Sequence, residues 1–328
     1  MMMKCASSSC PLASTLVVLA LFGLQVAKAQ LIWSEEFDTW DSAVWSYDLG
    51  AGGWGNQELQ EYTSNAVTVE NGVLKITAVQ TITDGKNPKA PRTYTYTSGR
   101  IHTENKFTFQ YGIVEARMQI PDLANGLWPA FWMMGYDFST IGWPQCGELD
   151  IMEMGYANAI NEGVVNQRVG STAHWEANGN YAGYGLTLDA VQGLNDGQWH
   201  VFTMEWDPFM IYTYLDGVQI WAFDIANPNN FDGEEFHKPY FLLLNMAVGG
   251  TFTGIYNGAD VSAPFPAEFA VDYIRIYDNG YTILGDVTSP STAPSPPTTS
   301  CFVSGTTCSD NDECCSSECT RGRNRVCA

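Results

Sequence analysis

Apolar and polar residues alternate with a period of two in segment after segment between residues 30 and 283. Val67-Thr68-Val69-Glu70 and Val73-Leu74-Lys75-Ile76-Thr77 alternate on either side of Asn71-Gly72. Such a pattern around Asn-Gly predicts a tight hairpin, because both turn residues must take positive φ. Ile211–Trp221 repeats the device around Asp216-Gly217. Trp199–Trp206 and Val271–Tyr277 also alternate, and Tyr111–Ile120 puts Val114, Ala116, Met118 and Ile120 on one face. No stretch holds a 3.6-residue pattern over three turns. Many strands joined by polar turns predict an all-β sandwich or barrel, and a segment of about 250 residues suits a large jelly-roll sandwich.

The two ends break this pattern. Residues 1–29 carry a short start with Lys4, the apolar run Leu16–Phe22 and the small-x-small sequence Ala27-Lys28-Ala29. This predicts a secretory signal cut after Ala29 and a secreted, extracellular protein. The apolar run is too short to span a bilayer comfortably. At the other end, Asp286–Ser300 is nearly all Pro, Ser and Thr, a composition with nothing to bury that favours an extended, semi-stiff chain. Of the nine cysteines, six follow it: Cys301, Cys308, Cys314, Cys315, Cys319 and Cys327. So short a segment needs a disulfide scaffold to fold, and spacing alone leaves 15 pairings open. The order of the six, with Cys314-Cys315 adjacent, resembles knottin-type cystine knots. That resemblance implies Cys301–Cys315, Cys308–Cys319 and Cys314–Cys327. Zinc is the weaker competitor, since the tail lacks His. The expected layout is a signal peptide (1–29), a large domain (30–283), a linker (284–300) and a small six-cysteine domain (301–328).

Charge narrows the partners. Acidic residues outnumber basic ones 36 to 15, for a formal charge of -21, and loss of Lys4 and Lys28 makes the mature chain more acidic still. Such a surface repels nucleic-acid backbones and anionic lipid, so neither nucleic acid nor a membrane is expected as partner, and a neutral substrate is. The 11 tryptophans and 16 tyrosines suit sugar rings or an aromatic groove, with a large aromatic core as the competing reading.

Candidate chemistry is concentrated in Gly147-Glu148-Leu149-Asp150-Ile151-Met152-Glu153-Met154. In a regular strand Glu148 and Asp150 share a face and Glu153 points the other way. One β-bulge near Ile151-Met152 would return Glu153 to the face of the other two. Three carboxylates on one face repel, which raises at least one pKa and leaves another group ionised. One protonated acid and one charged carboxylate are what glycoside hydrolysis uses. A solvated polar face and a divalent metal cluster are the competing readings.

Glu148-x-Asp150-x-x-Glu153 resembles the signature of glycoside hydrolase family 16, in particular its laminarinase-like members. Gly53-Trp54-Gly55-Asn56-Gln57-Glu58, Thr97-Ser98-Gly99-Arg100-Ile101, Gly126–Met133, Trp143-Pro144 and Leu244–Gly250 match in order. The resemblance thus covers nearly the whole large domain. It implies a concanavalin A-like β-jelly-roll sandwich with a substrate cleft on its concave face. It further implies a monomeric, retaining endo-β-glucanase acting on internal β-1,3 bonds of laminarin-type glucan, with mixed β-1,3-1,4 glucan open as a second substrate. Glu148 would be the nucleophile, Glu153 the acid/base, and Asp150 would hydrogen-bond Glu148, with carboxyls about 5–5.5 Å apart. Asn56, Arg100, Trp128, Trp132, Trp143 and His174 would contact sugar. No cofactor is implied for catalysis. A structural calcium is implied at Gly72 and Asp272, with Glu36 a weaker candidate. The same residues also serve a β-glucan transglycosylase. A non-catalytic β-glucan recognition protein is opposed by the presence of both Glu148 and Glu153. Cys146, beside the acids, is expected to be a buried free thiol.

Overall fold

The computed structural model describes residues 29–83, 93–226 and 233–285. Both predicted hairpins are present. Val67–Glu70 pairs with Val73–Thr83 around Asn71 and Gly72, at φ 56° and 75°. Met210–Leu215 pairs with Val218–Asp224 around Asp216 and Gly217, at φ 48° and 79°. Positive φ at both central residues matches the turn to the strand twist, which is why these dipeptides stand there.

Two sheets are built from such strands. Among the described residues one has ten strands, with Gly112–Gln119 and Ala267–Asp278 side by side near its middle. The other has nine, in which Asn180–Asp189, Arg168–Ala177, Glu148–Glu153, Leu127–Gly135, Tyr240–Val248, Arg100–His102 and Ser46–Tyr47 lie in that order. The first strand, Gln30–Glu35, adds to Ala267–Asp278. Ile283–Gly285 pairs with Thr108–Gln110, so the sheet runs two residues past the expected boundary at 283. Residues 1–28 of the expected signal peptide, all but the start of the linker and the six-cysteine domain lie outside the described residues.

The core is the space between the sheets. Val114, Ala116 and Met118, predicted to share a face, are fully buried together with Leu74, Ile76, Ile274 and Ile276. Phe131, Met133, Leu149, Leu242, Leu244 and Met246 complete the same cluster from the opposing sheet. Period-2 strands turn every other side chain the opposite way. In the nine-stranded sheet this leaves Ala130, Trp132, Met134, Leu243 and Asn245 on the outer face, where they line a cleft. Among the described residues the α-helices, Phe138–Ile141 and Ala157–Glu162, are four and six residues long and lie in loops, and none is long and apolar enough to cross a membrane.

Candidate active site

The acid strand, Glu148–Glu153, carries the bulge that its spacing demands. Against Leu127–Gly135, Asp150 pairs with Trp132 and Met152 with Phe131, so Ile151 has no partner of its own. Against Arg168–Ala177, Asp150 pairs with Thr172 and Glu153 with Gly170, again one residue in excess. Ile151 and Met152 are both fully buried in the core, while Glu148, Asp150 and Glu153 all line the cleft. The extra residue resets the alternation and converts a split triplet into a one-sided one. At the strand entry, a Cβ on Gly147 would stand 2.1 Å from the Tyr240 hydroxyl, so only glycine lets the chain turn into Glu148 there.

All three carboxyls are pushed up to about 8. Burial is the main cause for each, and repulsion by Asp150 adds to it for Glu148 and Glu153. His174 opposes the shift at both, Arg100 helps at Glu148, and the indole of Trp128 helps at Glu153. Such a cluster titrates as a unit, holding fewer charges than carboxyls near neutrality. The hydrogen bonds set its members apart. Trp128 Nε1 donates to Glu153 Oε1 at 3.0 Å. Asp150 Oδ2 lies 3.0 Å from His174 Nε2, without hydrogen-bond alignment. His174 Nε2 is also 3.8 Å from Glu148 Oε1.

The remaining expected residues surround these acids in a cleft of about 420 Å³. Arg100 has its guanidinium over the rings of Trp54 and Trp132, at 5.1 and 4.9 Å from their centroids, and its Nε is 2.7 Å from Asp48. Trp132 Nε1 donates to Asn245 Oδ1 at 2.8 Å. Asn56 lines the cleft and donates to Glu58 Oε1 at 3.3 Å. Trp128 is nearly buried and stacks on Phe252, with 4.4 Å between centroids and 7° between planes. Its N–H toward Glu153, more than an open ring face, is what it offers the site. Trp143 is 47% exposed at the rim, against Tyr181. Sequence reasoning left out Glu58, whose pKa is raised mainly by burial and which Gln60, Tyr62 and Asn56 bond. Its place in the Gly53–Glu58 block was the available signal. It also missed Tyr181, Asp48 and Asn245.

Metal readings fare differently. Glu148, Asp150 and His174 each bring one ligand-capable atom within 4.8 Å of the others, a spacing equally explained by the acid cluster itself. At the expected calcium position, Asp272 sits in a register shift of its strand, and its Oδ2 is 2.6 Å from Arg117 Nη1. Both Glu36 oxygens accept from Arg275. Two guanidinium partners leave little net negative charge, which does not favour a divalent cation beside Gly72. Cys146 is buried and free, and burial pushes its thiol up to about 12, so it is inert as a nucleophile at neutral pH.

A family model described as "Beta-porphyranase A-D, GH16 domain" matches residues 29–279. The chain is 34% identical over 259 residues to the clotting factor G alpha subunit of Tachypleus tridentatus, covering 78% of this chain but only 35% of that protein. It is 36% identical over 264 residues to a beta-glucanase of Rhodothermus marinus, covering 76% of this chain and 85% of the relative. The laminarinase catalytic domain of Thermotoga maritima superposes with a TM-score of 0.64 at 36% identity, over 76% of this chain and 98% of that one.

Proposed function

The chain belongs to glycoside hydrolase family 16, and from that premise we propose that it is a retaining endo-β-glucanase cleaving internal β-1,3 bonds of laminarin-type glucan. The observation that carries this reading is the bulge at Ile151, which gathers Glu148, Asp150 and Glu153 on one cleft face. In the first step Glu148 attacks the anomeric carbon while Glu153 gives its proton to the departing glycosidic oxygen, leaving a covalent glycosyl-enzyme. In the second, Glu153 takes a proton from water, and the water oxygen displaces Glu148. Glu148 and Glu153 are raised alike, so the cluster holds the proton that an acid needs near neutrality, and the family pattern divides the two roles. At Glu148 the ring of His174 and the guanidinium of Arg100 oppose the rise and favour the charged form that a nucleophile needs. Trp132, Trp143 and Arg100 with its flanking indoles offer flat surfaces for pyranose rings.

A neutral chain suits this cleft better than a sulfated one. Its lining holds Asp48, Glu58, Glu104, Glu148, Asp150 and Glu153 against Arg100 and His102, and a sulfate ester would meet net negative charge. Export through the leader at residues 1–29 and a separate six-cysteine unit belong to the same reading. The test is Glu148→Gln, which removes the covalent route and should abolish release of reducing sugar from laminarin while glucan binding persists. Near-normal turnover would sink the assignment. Proton NMR of the first-formed sugar should show the β-anomer. Products from laminarin and from mixed-linkage glucan separate the two specificities, and longer products at high acceptor concentration would mark a transglycosylase.

A further inference from the structure

Tyr181 lies on the outermost strand of the nine-stranded sheet, Asn180–Asp189, and none of the chemistry above uses it. It is 57% exposed, yet its hydroxyl is 2.7 Å from His174 Nδ1. The other nitrogen of that ring, Nε2, faces Asp150 at 3.0 Å and Glu148 at 3.8 Å. A neutral imidazole has one N–H and one lone pair. Carboxyl oxygens are acceptors, so the nitrogen that faces them, Nε2, carries the N–H, and Nδ1 is then an acceptor that the phenol O–H can satisfy. Resting on the proposed glycosidase reading, we propose that Tyr181 is a positioning residue. Its hydroxyl donates to Nδ1 and holds His174 as the Nε2–H tautomer aimed at Asp150 and Glu148, setting the charge around the nucleophile.

A second observation, at Gly183, supports this. Gly183 pairs directly opposite His174. A Cβ built on Gly183 would come 2.7 Å from the Tyr181 hydroxyl and 3.2 Å from His174 Nδ1. Its φ is not in the positive region, so conformation does not require glycine here. The missing side chain instead leaves the lane through which the phenol reaches the imidazole. Trp143 closes the arrangement on the cleft side, with its ring centroid 5.4 Å from that of Tyr181 and 6.4 Å from that of His174. The Nε2–Asp150 contact is close but off hydrogen-bond alignment in the free protein, a geometry that commonly tightens when substrate binds.

The experiment uses the full chain with Tyr181→Phe, which keeps the ring, and Gly183→Ala, which displaces the hydroxyl without touching Tyr181 chemically. Nitrogen-15 shifts of the imidazoles report the tautomer without any substrate. The chain has four histidines, and a His174→Gln variant assigns the signal. In the parent, His174 should show a protonated Nε2 and a hydrogen-bonded, unprotonated Nδ1, and both variants should shift Nδ1 and mix the tautomers. On laminarin both should lose about tenfold in kcat, the size of one hydrogen bond to a polar network, with KM nearly unchanged because the aromatic rim persists. Tyr181→Ala should raise KM as well. Unchanged nitrogen shifts in Tyr181→Phe overturn the proposal. Altered shifts with unchanged kcat overturn it too, because the tautomer would then not matter to the reaction. A parent inactive on every glucan would instead overturn the glucanase reading, and the nitrogen shifts would still decide the tautomer.

Discussion

Replacing Glu153 with Gln should make the protein more stable, and only at the pH where the acid cluster carries charge. Glu153 is 9% exposed, and its carboxyl is pushed from 4.5 up to about 8, first by burial and then by Asp150. For an acid whose folded value lies above its unfolded one, the native state binds the extra proton. Its contribution to stability is therefore intact below about pH 4.5 and is lost as pH rises toward 8. At 1.36 kcal/mol per unit, the interval from 4.5 to pH 7 corresponds to ~3.4 kcal/mol for an isolated group. Proton sharing with Glu148 and Asp150 spreads this over the cluster, which leaves about 2 kcal/mol for one member. Gln is isosteric, never ionises, and still accepts from Trp128 Nε1, so it removes the charge and keeps the packing. For a domain of this size about 2 kcal/mol corresponds to roughly 4–8 °C in Tm. Scanning calorimetry at pH 4.5 and pH 7.5 should find the variant level with the parent at the lower pH and several degrees above it at the higher. A gain of equal size at both pH values, or a loss at pH 7.5, would refute the argument that burial of charge in the cluster costs stability.

Glu153→Ala should cripple hydrolysis of laminarin but spare aryl glycosides with good leaving groups, which need little protonation. Added azide should then give the β-glycosyl azide, and an α-azide would reverse the roles of Glu148 and Glu153. Trp128→Phe keeps the stack on Phe252 and deletes the N–H that lowers the Glu153 pKa. The alkaline limb of kcat/KM should move up by about one unit, at 1.36 kcal/mol per unit for one hydrogen bond to a charged group; a limb that stays or moves down contradicts the assignment. Truncation before Asp286 should leave activity on soluble laminarin within about twofold, since the domain's last described strand ends at Gly285. A selective loss on insoluble glucan would assign binding to the tail.

Local chemistry in the chain foretold a good part of this molecule. Asn71-Gly72 and Asp216-Gly217 specify their hairpins because a turn with positive φ at two positions is a property of those residues alone. The facing of Val114, Ala116 and Met118 follows from a period of two. Even the bulge was legible, because Glu148, Asp150 and Glu153 cannot share a face on a regular strand. Lateral neighbours were not. Which strand lies beside the acids depends on sheet order and register, and those are decided by how all the strands bury their apolar faces at once. That global choice sets Tyr240–Val248 next to Leu127–Gly135, more than a hundred residues away, so that Asn245 can hold Trp132. It brings Asp48 to Arg100 and His174 to Asp150. It also decides that Asp272 meets Arg117. Tyr181 and Gly183 carry no signal in the chain at all. Their meaning exists only where the hairpin Arg168–Asp189 folds one against the other across His174, because the reach of one side chain across a strand pair has no counterpart in a pattern of apolar and polar positions.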